Sequence, residues 1–166
     1  MAGTSAAFLI ARLLLGGSLA AHGSQKLCGW FGGGGPKGTA AFLEGLGFRP
    51  GYIFAIASGL GELLGGLLTL LGLGGAIGPV LIILVMLVAI FSVHITKGFF
   101  SSGGGWELPG INIAAALAIA FGGNRDYSID AAIGLHFLRG WEHIWIAIGC
   151  AVVLAALNLL ARRPAR

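Results

Sequence analysis

"YIFAIASGLGELLGGLLTLLGLGGAIGPVLIILVMLVAIFSVHI", residues 52–95, carries one charged side chain, Glu62, in two apolar runs parted by a glycine-rich break. Neither run alternates apolar and polar residues at period two, as a lipid-facing barrel strand does. Each is close to the ~20 apolar residues with which a helix crosses hydrocarbon. In lipid the backbone must satisfy its own hydrogen bonds, so continuous runs of this kind form helices. The stretch predicts two membrane spans, residues 52–71 and 76–95.

Outward from it, residues 6–23, 108–122 and 144–160 form three more apolar runs, the last accompanied by Trp141 and Trp145. The whole chain is 57 % hydrophobic and 10 % charged, with a mean hydropathy of +0.93; a soluble domain carries about a quarter charged residues. The expected fold is an all-α integral membrane bundle in contact with the lipid bilayer, with five spans and no soluble domain. The first run has no basic segment before it and holds Arg12 inside it, so it is expected to remain as a span and not to be cleaved.

The net charge of +4 does not point to nucleic acid, because the lysines and arginines sit at the ends of apolar runs, where they set membrane orientation. If the tail after residue 160 is cytoplasmic, seven basic residues (Lys26, Lys37, Arg49, Lys97, Arg162, Arg163 and Arg166) share its side against Arg125 and Arg139. That balance predicts the N-terminus outside and the C-terminus inside a plasma membrane. Cys28 and Cys150 form no CxxC pair and are expected to be small packing residues. The glycines Gly61 and Gly65, and the small residues Ala114, Ala118 and Gly122, recur at four-residue steps that suit close helix packing.

Arg12 and Glu62 are ionisable residues within spans, where an unpaired charge is expensive. Counted from Lys26 and Tyr52 at 1.5 Å per residue, they lie about 21 Å and about 15 Å from the same face. They are therefore expected to form an intramembrane pair, either poised for proton relay or holding helix register. At 100° per residue Arg12, Gly16, Leu19, Gly23 and Lys26 share one stripe of the first span, and Ser58, Glu62, Gly66 and Thr69 share one of the second.

The segment "HGSQKLCGWFGGGGPKG", residues 22–38, and the segment "FSVHITKGFFSSGGGWE", residues 91–107, both leave their spans at this face. Each has a histidine three or four positions before a lysine, then aromatic and glycine residues. His22, Lys26, Trp30, His94, Lys97, Trp106 and Glu107 are thus expected to gather into a ligand pocket. The glycine run fails as a phosphate loop, because Gly38 separates Lys37 from Thr39 and no strand precedes it; a sharply bent re-entrant or surface loop is expected. With no HxxxH or ExxH pair and no thiolate cluster, no metal site is expected.

The motifs "ARLLLGG" with Arg12, "HGSQK", "GWFGG" at 29–33, "GELLGG" with Glu62, "VHITKGF" with His94 and "GGNRDYSID" at 122–130 occur in an order that resembles the DoxX family of small bacterial and archaeal membrane proteins. The resemblance implies a DoxX-like four-helix membrane domain over residues 1–130. Residues 131–166 lie beyond it, as a loop and an extra C-terminal span with a basic tail. Relatives that look like membrane subunits of thiosulfate:quinone oxidoreductase imply quinone chemistry, with Arg12, His22, Lys26, Glu62 and His94 as the residues carried over. In that reading a histidine donates to a quinone carbonyl, Lys26 stabilises negative charge developing on the ring oxygens, and Glu62 passes protons. No haem, flavin or iron-sulfur motif is present, so any enzyme activity is that of a quinone-linked oxidoreductase subunit served by a partner electron donor. The alternatives are a non-catalytic accessory subunit of a larger respiratory-type membrane complex, docked through residues 141–166, and a small-solute transporter.

Overall fold

The computed structural model describes residues 2–122, 126–137 and 140–163. Among them the regular elements are helical: α1 (Ala2–Cys28), α2 (Gly35–Gly45), α3 (Gly51–Leu71), α4 (Ile77–Ala89), α5 (Glu107–Gly122), the single turn α6 (Ile129–Ala132) and α7 (Trp141–Leu160). α4 continues through a π-turn, Ile90–His94, and a 3-10 turn, Ile95–Lys97. The expected all-α membrane bundle is what the chain forms. α1, α3, the extended α4 and α7 are long and apolar enough to cross a bilayer. α5 has 16 residues, about 24 Å of helix, short of the ~30 Å hydrocarbon core.

α1 and α3 run antiparallel with their backbones in contact. A Cβ on Gly16 would lie 2.6 Å from Gly66 O and 2.6 Å from Leu70 N. A Cβ on Gly66 would fall on the backbone of Ala20, and one on Gly23 would fall on that of Leu63. In lipid such contacts hold helices together through dispersion, because lipid tails are as apolar as the side chains. Gly65 serves α3 against α4 in the same way, 3.2 Å from Gly78 O once given a Cβ. The expected small-residue stripe on α5 packs only at Gly122, where a Cβ would fall on the Phe8 ring: Ala114 and Ala118 are exposed, while Ala116 and Ile119 face inward. A helix with small residues on several faces presents more than one candidate stripe, and the neighbours decide which is used.

The core joins Leu15 and Leu19 of α1, Ile82, Ile83, Val85 and Met86 of α4, and Ala116 and Ile119 of α5. α7 packs on the outer side of α4 through a stripe of Ile144, Ala151 and Ala155, and turns Val152, Val153, Leu154 and Leu157 outward. It begins beside the end of α5, where Phe121 and Trp145 stack at 5.0 Å. It ends at the loop before α3, where Arg162 Nε donates to Leu46 O at 3.0 Å and Arg163 N to Gly47 O at 2.7 Å. α7 therefore runs the length of the bundle. Cys150 lies on it exposed, as does Cys28 at the end of α1, so neither thiol is a packing residue.

The glycine run does bend the chain: Gly29 and Gly32 take φ of 71° and 77° around a 3-10 turn, where an L side chain is strained. Beyond the bend the chain forms α2, a helix that the sequence reading does not anticipate. α2 starts at Gly35 with Pro36 in its first turn, a position where proline's missing N–H costs nothing. It packs on α1 and α3, and Glu44 Oε1 accepts from Gly51 N at 3.0 Å, capping α3.

Gly16→Ala should destabilise the bundle by about 1–3 kcal/mol through overpacking. Its neighbour Gly17, whose Cβ would meet only Leu70 Cδ1 at 3.8 Å, should accept alanine with no loss or a gain of about 0.5–1 kcal/mol from helix propensity. Thermal unfolding of the two variants in detergent distinguishes these outcomes.

Candidate functional site

The α1–α3 contact fixes which charges meet. Lys26 and Leu27 pack on Gly59, three residues from Glu62, and Lys26 Nζ bonds Glu62 Oε1 at 2.5 Å. The Lys26 side chain is 32 % exposed and that of Glu62 6 %, so the pair bridges the bundle interior and its surface. The expected Arg12–Glu62 pair does not form. Both faces are as helical phase predicts, but Lys26 is level with Gly59 and not with Tyr52, a difference of seven residues or about 10 Å. α2 causes the offset: the chain re-enters α3 well beyond the level at which it leaves α1.

Arg12, fully buried, lies instead at the other end of the bundle. Its Nη2 donates to Tyr127 O, and the charge of Asp130 acts on it. Asp130 is also fully buried and accepts from Gly74 N at 2.9 Å and Gly75 N at 2.7 Å, while its own N–H bonds Gly72 O at 3.1 Å. Gly72, at φ 63°, leaves no room for a Cβ beside the Arg12 guanidinium and Ser128. The segment around α6 thus fastens the α3–α4 turn and compensates Arg12. This arrangement joins helix ends, and Arg12 Nε and Nη1 are buried there without a hydrogen-bond partner among the described residues.

The cavity is at the Lys26 end and has a volume of about 150 Å³. Phe42 and Leu43 of α2, with Phe48 and Phe54, form its aromatic and aliphatic roof, and Leu84, Val85, Val88 and Ala89 of α4 its floor. The polar wall is Lys26, Thr39, Ser58, Glu62, Ser92 and Asn158. Glu62 Oε2 and Asn158 Oδ1 are buried without a hydrogen-bond partner among the described residues. The hydroxyls of Ser58 and Ser92 donate to their own helices, to Ala55 O at 3.2 Å and Val88 O at 2.6 Å. Ser92 and Val93 belong to the π-turn of α4, a distortion common at functional sites. Phe42, 55 % exposed, marks where the cavity reaches the bundle surface.

Of the seven residues expected to form one pocket, Lys26 lines this cavity and the others lie elsewhere. His22 is exposed, with Nδ1 3.0 Å from Gln25 Oε1 on its own helix, and Trp30 is exposed beside Phe31. His94 Nδ1 is 2.6 Å from Gly104 O, Trp106 packs edge-on against Phe99, and Glu107 accepts from Ser101 N at 2.8 Å; these bonds shape the α4–α5 loop. Lys97 is exposed and lays its stem along Gly104. The histidines do not share a level: Gly23, next to His22, abuts Leu63 of α3, whereas Gly61 abuts Val85, nine residues before His94, so His94 lies more than two helical turns nearer the loop end than His22. Each is engaged locally, by Gln25 and by Gly104 O. Asn158 is not among the expected residues, although a lone amide in "VVLAALNLLA" is the kind of intramembrane polar residue that marks a site.

Lys26→Met, which strands a buried carboxylate, should cost about 3 kcal/mol, and adding Glu62→Leu should restore much of it. Arg12→Leu and Glu62→Leu should add within about 0.5 kcal/mol. Unfolding of the single and double variants in detergent tests both; strong coupling between Arg12 and Glu62 would contradict the register described.

The sequence matches the DoxX family over residues 7–95, which include Arg12, His22, Lys26, Glu62 and His94. α5, the 122–130 motif and α7 lie beyond the matched segment. Comparison with curated proteins and with solved structures gave no significant match. The matched segment is more than half of the 166 residues and contains α1 to α4 almost entire, so the chain belongs to the DoxX family.

Proposed function

We propose that this protein is a quinone-interacting subunit of a membrane oxidoreductase, served by a separate electron-transfer partner. The observation that carries the reading is the cavity at the Lys26 end. Its volume of about 150 Å³ suits one six-membered ring, since an apolar cavity of about that size takes up benzene. Its wall is mostly apolar, with one charged pair and two unpartnered acceptors, the pattern of sites that orient a small amphiphile. Phe42 at its edge offers a route for a lipid-soluble tail.

A quinone head supplies reversible two-electron, two-proton chemistry when bound. Lys26 holds the Glu62 carboxylate in place through a charge-assisted bond to Oε1. Oε2 is left facing an apolar enclosure, where it can take up a proton from a ring hydroxyl. A third of the Lys26 side chain is exposed, so the pair connects the cavity with water at the membrane surface. The roof of phenylalanines keeps other water away from the carboxylate. Lys37, Arg49, Lys97, Arg162 and Arg163 belong to the same end of the bundle as Lys26, which supports a cytoplasmic assignment of that end in a prokaryotic plasma membrane. Arg125, Arg139 and Arg166, the remaining members of that balance, lie outside the described residues.

Protein purified gently from its native membrane should carry near-stoichiometric extractable quinone, identified by mass spectrometry. Ala89→Phe, which places a ring in the cavity, should reduce that quinone at least tenfold while leaving the melting temperature equal or higher. A wild-type protein free of quinone, or an Ala89→Phe variant that retains it, would overturn the proposal.

A further inference from the structure

Asn158 comes from α7, outside the segment that the family match covers. Its amide lines the cavity, and its Oδ1 is buried without a hydrogen-bond partner among the described residues. The position is held: two residues beyond the helix, Arg162 donates to Leu46 O and stacks over the Phe48 ring at 5.5 Å, and Arg163 N donates to Gly47 O. Phe48 is itself part of the cavity roof. The end of α7 is thereby strapped to the loop that covers the cavity, with Asn158 about one turn inside the strap.

The unpartnered buried side-chain atoms among the described residues lining the cavity are both acceptors. Glu62 Oε2 and Asn158 Oδ1 are acceptors in want of a donor. The protons of Ser58, Ser92 and Thr39 are committed to the carbonyls of Ala55, Val88 and Gly35. Lys26 gives one of its three N–H donors to Glu62 and is a third exposed. A ligand bringing two O–H groups satisfies both acceptors as they stand, whereas one bringing two carbonyls leaves Glu62 Oε2 buried and unpaired, the costly case, and is met at Asn158 only if the amide turns to present Nδ2.

We infer that α7 completes the binding site and makes it selective for the reduced, dihydroxy form of the ring, with Glu62 accepting from one hydroxyl and Asn158 from the other. This rests on the quinone reading above and adds to it the redox form that the site prefers. It also gives the C-terminal helix a role inside the protein, as a wall of the pocket carrying a specificity-determining residue.

The test is equilibrium binding of decyl-benzoquinol, its mono-methyl ether and the matching decyl-benzoquinone to the full-length protein in nanodiscs. Wild type should bind the quinol about tenfold or more tightly than the quinone, with the mono-ether between them. Asn158→Leu, an apolar replacement on a helix in lipid, should weaken the quinol about tenfold, leave the quinone nearly unchanged and bind quinol and mono-ether alike. Equal wild-type affinity for quinol and quinone would overturn the selectivity while leaving the quinone reading in place. A preference for quinol that survives Asn158→Leu would overturn the role of Asn158. Absence of binding by all three compounds would overturn the quinone reading and this inference together. The comparison of ligands on wild type needs no variant to fold.

Discussion

In lipid there is little hydrophobic force to drive one apolar helix onto another, so α1 and α3 are held by contact of their backbones at Gly16, Gly23 and Gly66. That contact admits little sliding, because a shift by one residue would bring a side chain onto a carbonyl. It therefore sets the level of every group along both helices. Lys26 meets Glu62 because of it, and Arg12 is carried to the far end, beside the α3–α4 turn. Both buried charges of the first two spans are compensated by a register that neither charge determines.

The two ends of the bundle use this register differently. At the Arg12 end, Tyr127 O accepts from Arg12 Nη2 and the carboxylate of Asp130 from the backbone N–H groups of Gly74 and Gly75, while Arg12 Nε and Nη1 are buried without a hydrogen-bond partner among the described residues. Packing there is closed around glycine. At the Lys26 end the charge pair has one oxygen to spare, and the neighbouring side chains of α2, α4 and α7 stand back from it. Rigid closure at one end and an unfilled, acceptor-rich space at the other divide structure from chemistry along the membrane normal.

The five apolar runs are legible in the sequence because length and hydropathy are properties of each run alone. The faces of α1 and α3 are legible too, since helical phase is local. Their relative level is not, because it depends on α2, whose eleven residues are too few and too glycine-rich to announce a helix. Partners across long separations are also hidden: nothing near Arg12 in the sequence points to Tyr127 or Asp130. The histidines are conspicuous by residue type, yet Gly104 O and Gln25 engage them locally. Asn158 is inconspicuous, and its place at the cavity comes from α7 packing on α4, a contact between segments that no spacing rule connects.

In the π-turn Ile90–His94, Ile95 N bonds Ile90 O, five residues back instead of four, so the turn holds one residue more than an α-helix would need. Everything after it is rotated by about 100° relative to an uninterrupted helix. Counting in threes and fours from Val85 to Lys97 consequently assigns the wrong faces to the residues that lead into the α4–α5 loop. The floor up to Ala89 is set by the side chains of α4, whereas the loop's direction and the placement of Ser92 and Val93, which also line the cavity, depend on the number of residues in the next turn. Loss of one residue there would swing the loop around the helix axis and re-aim Ser92 and Val93 while Leu84, Val85 and Val88 kept their places, making segment length a means of variation separate from composition.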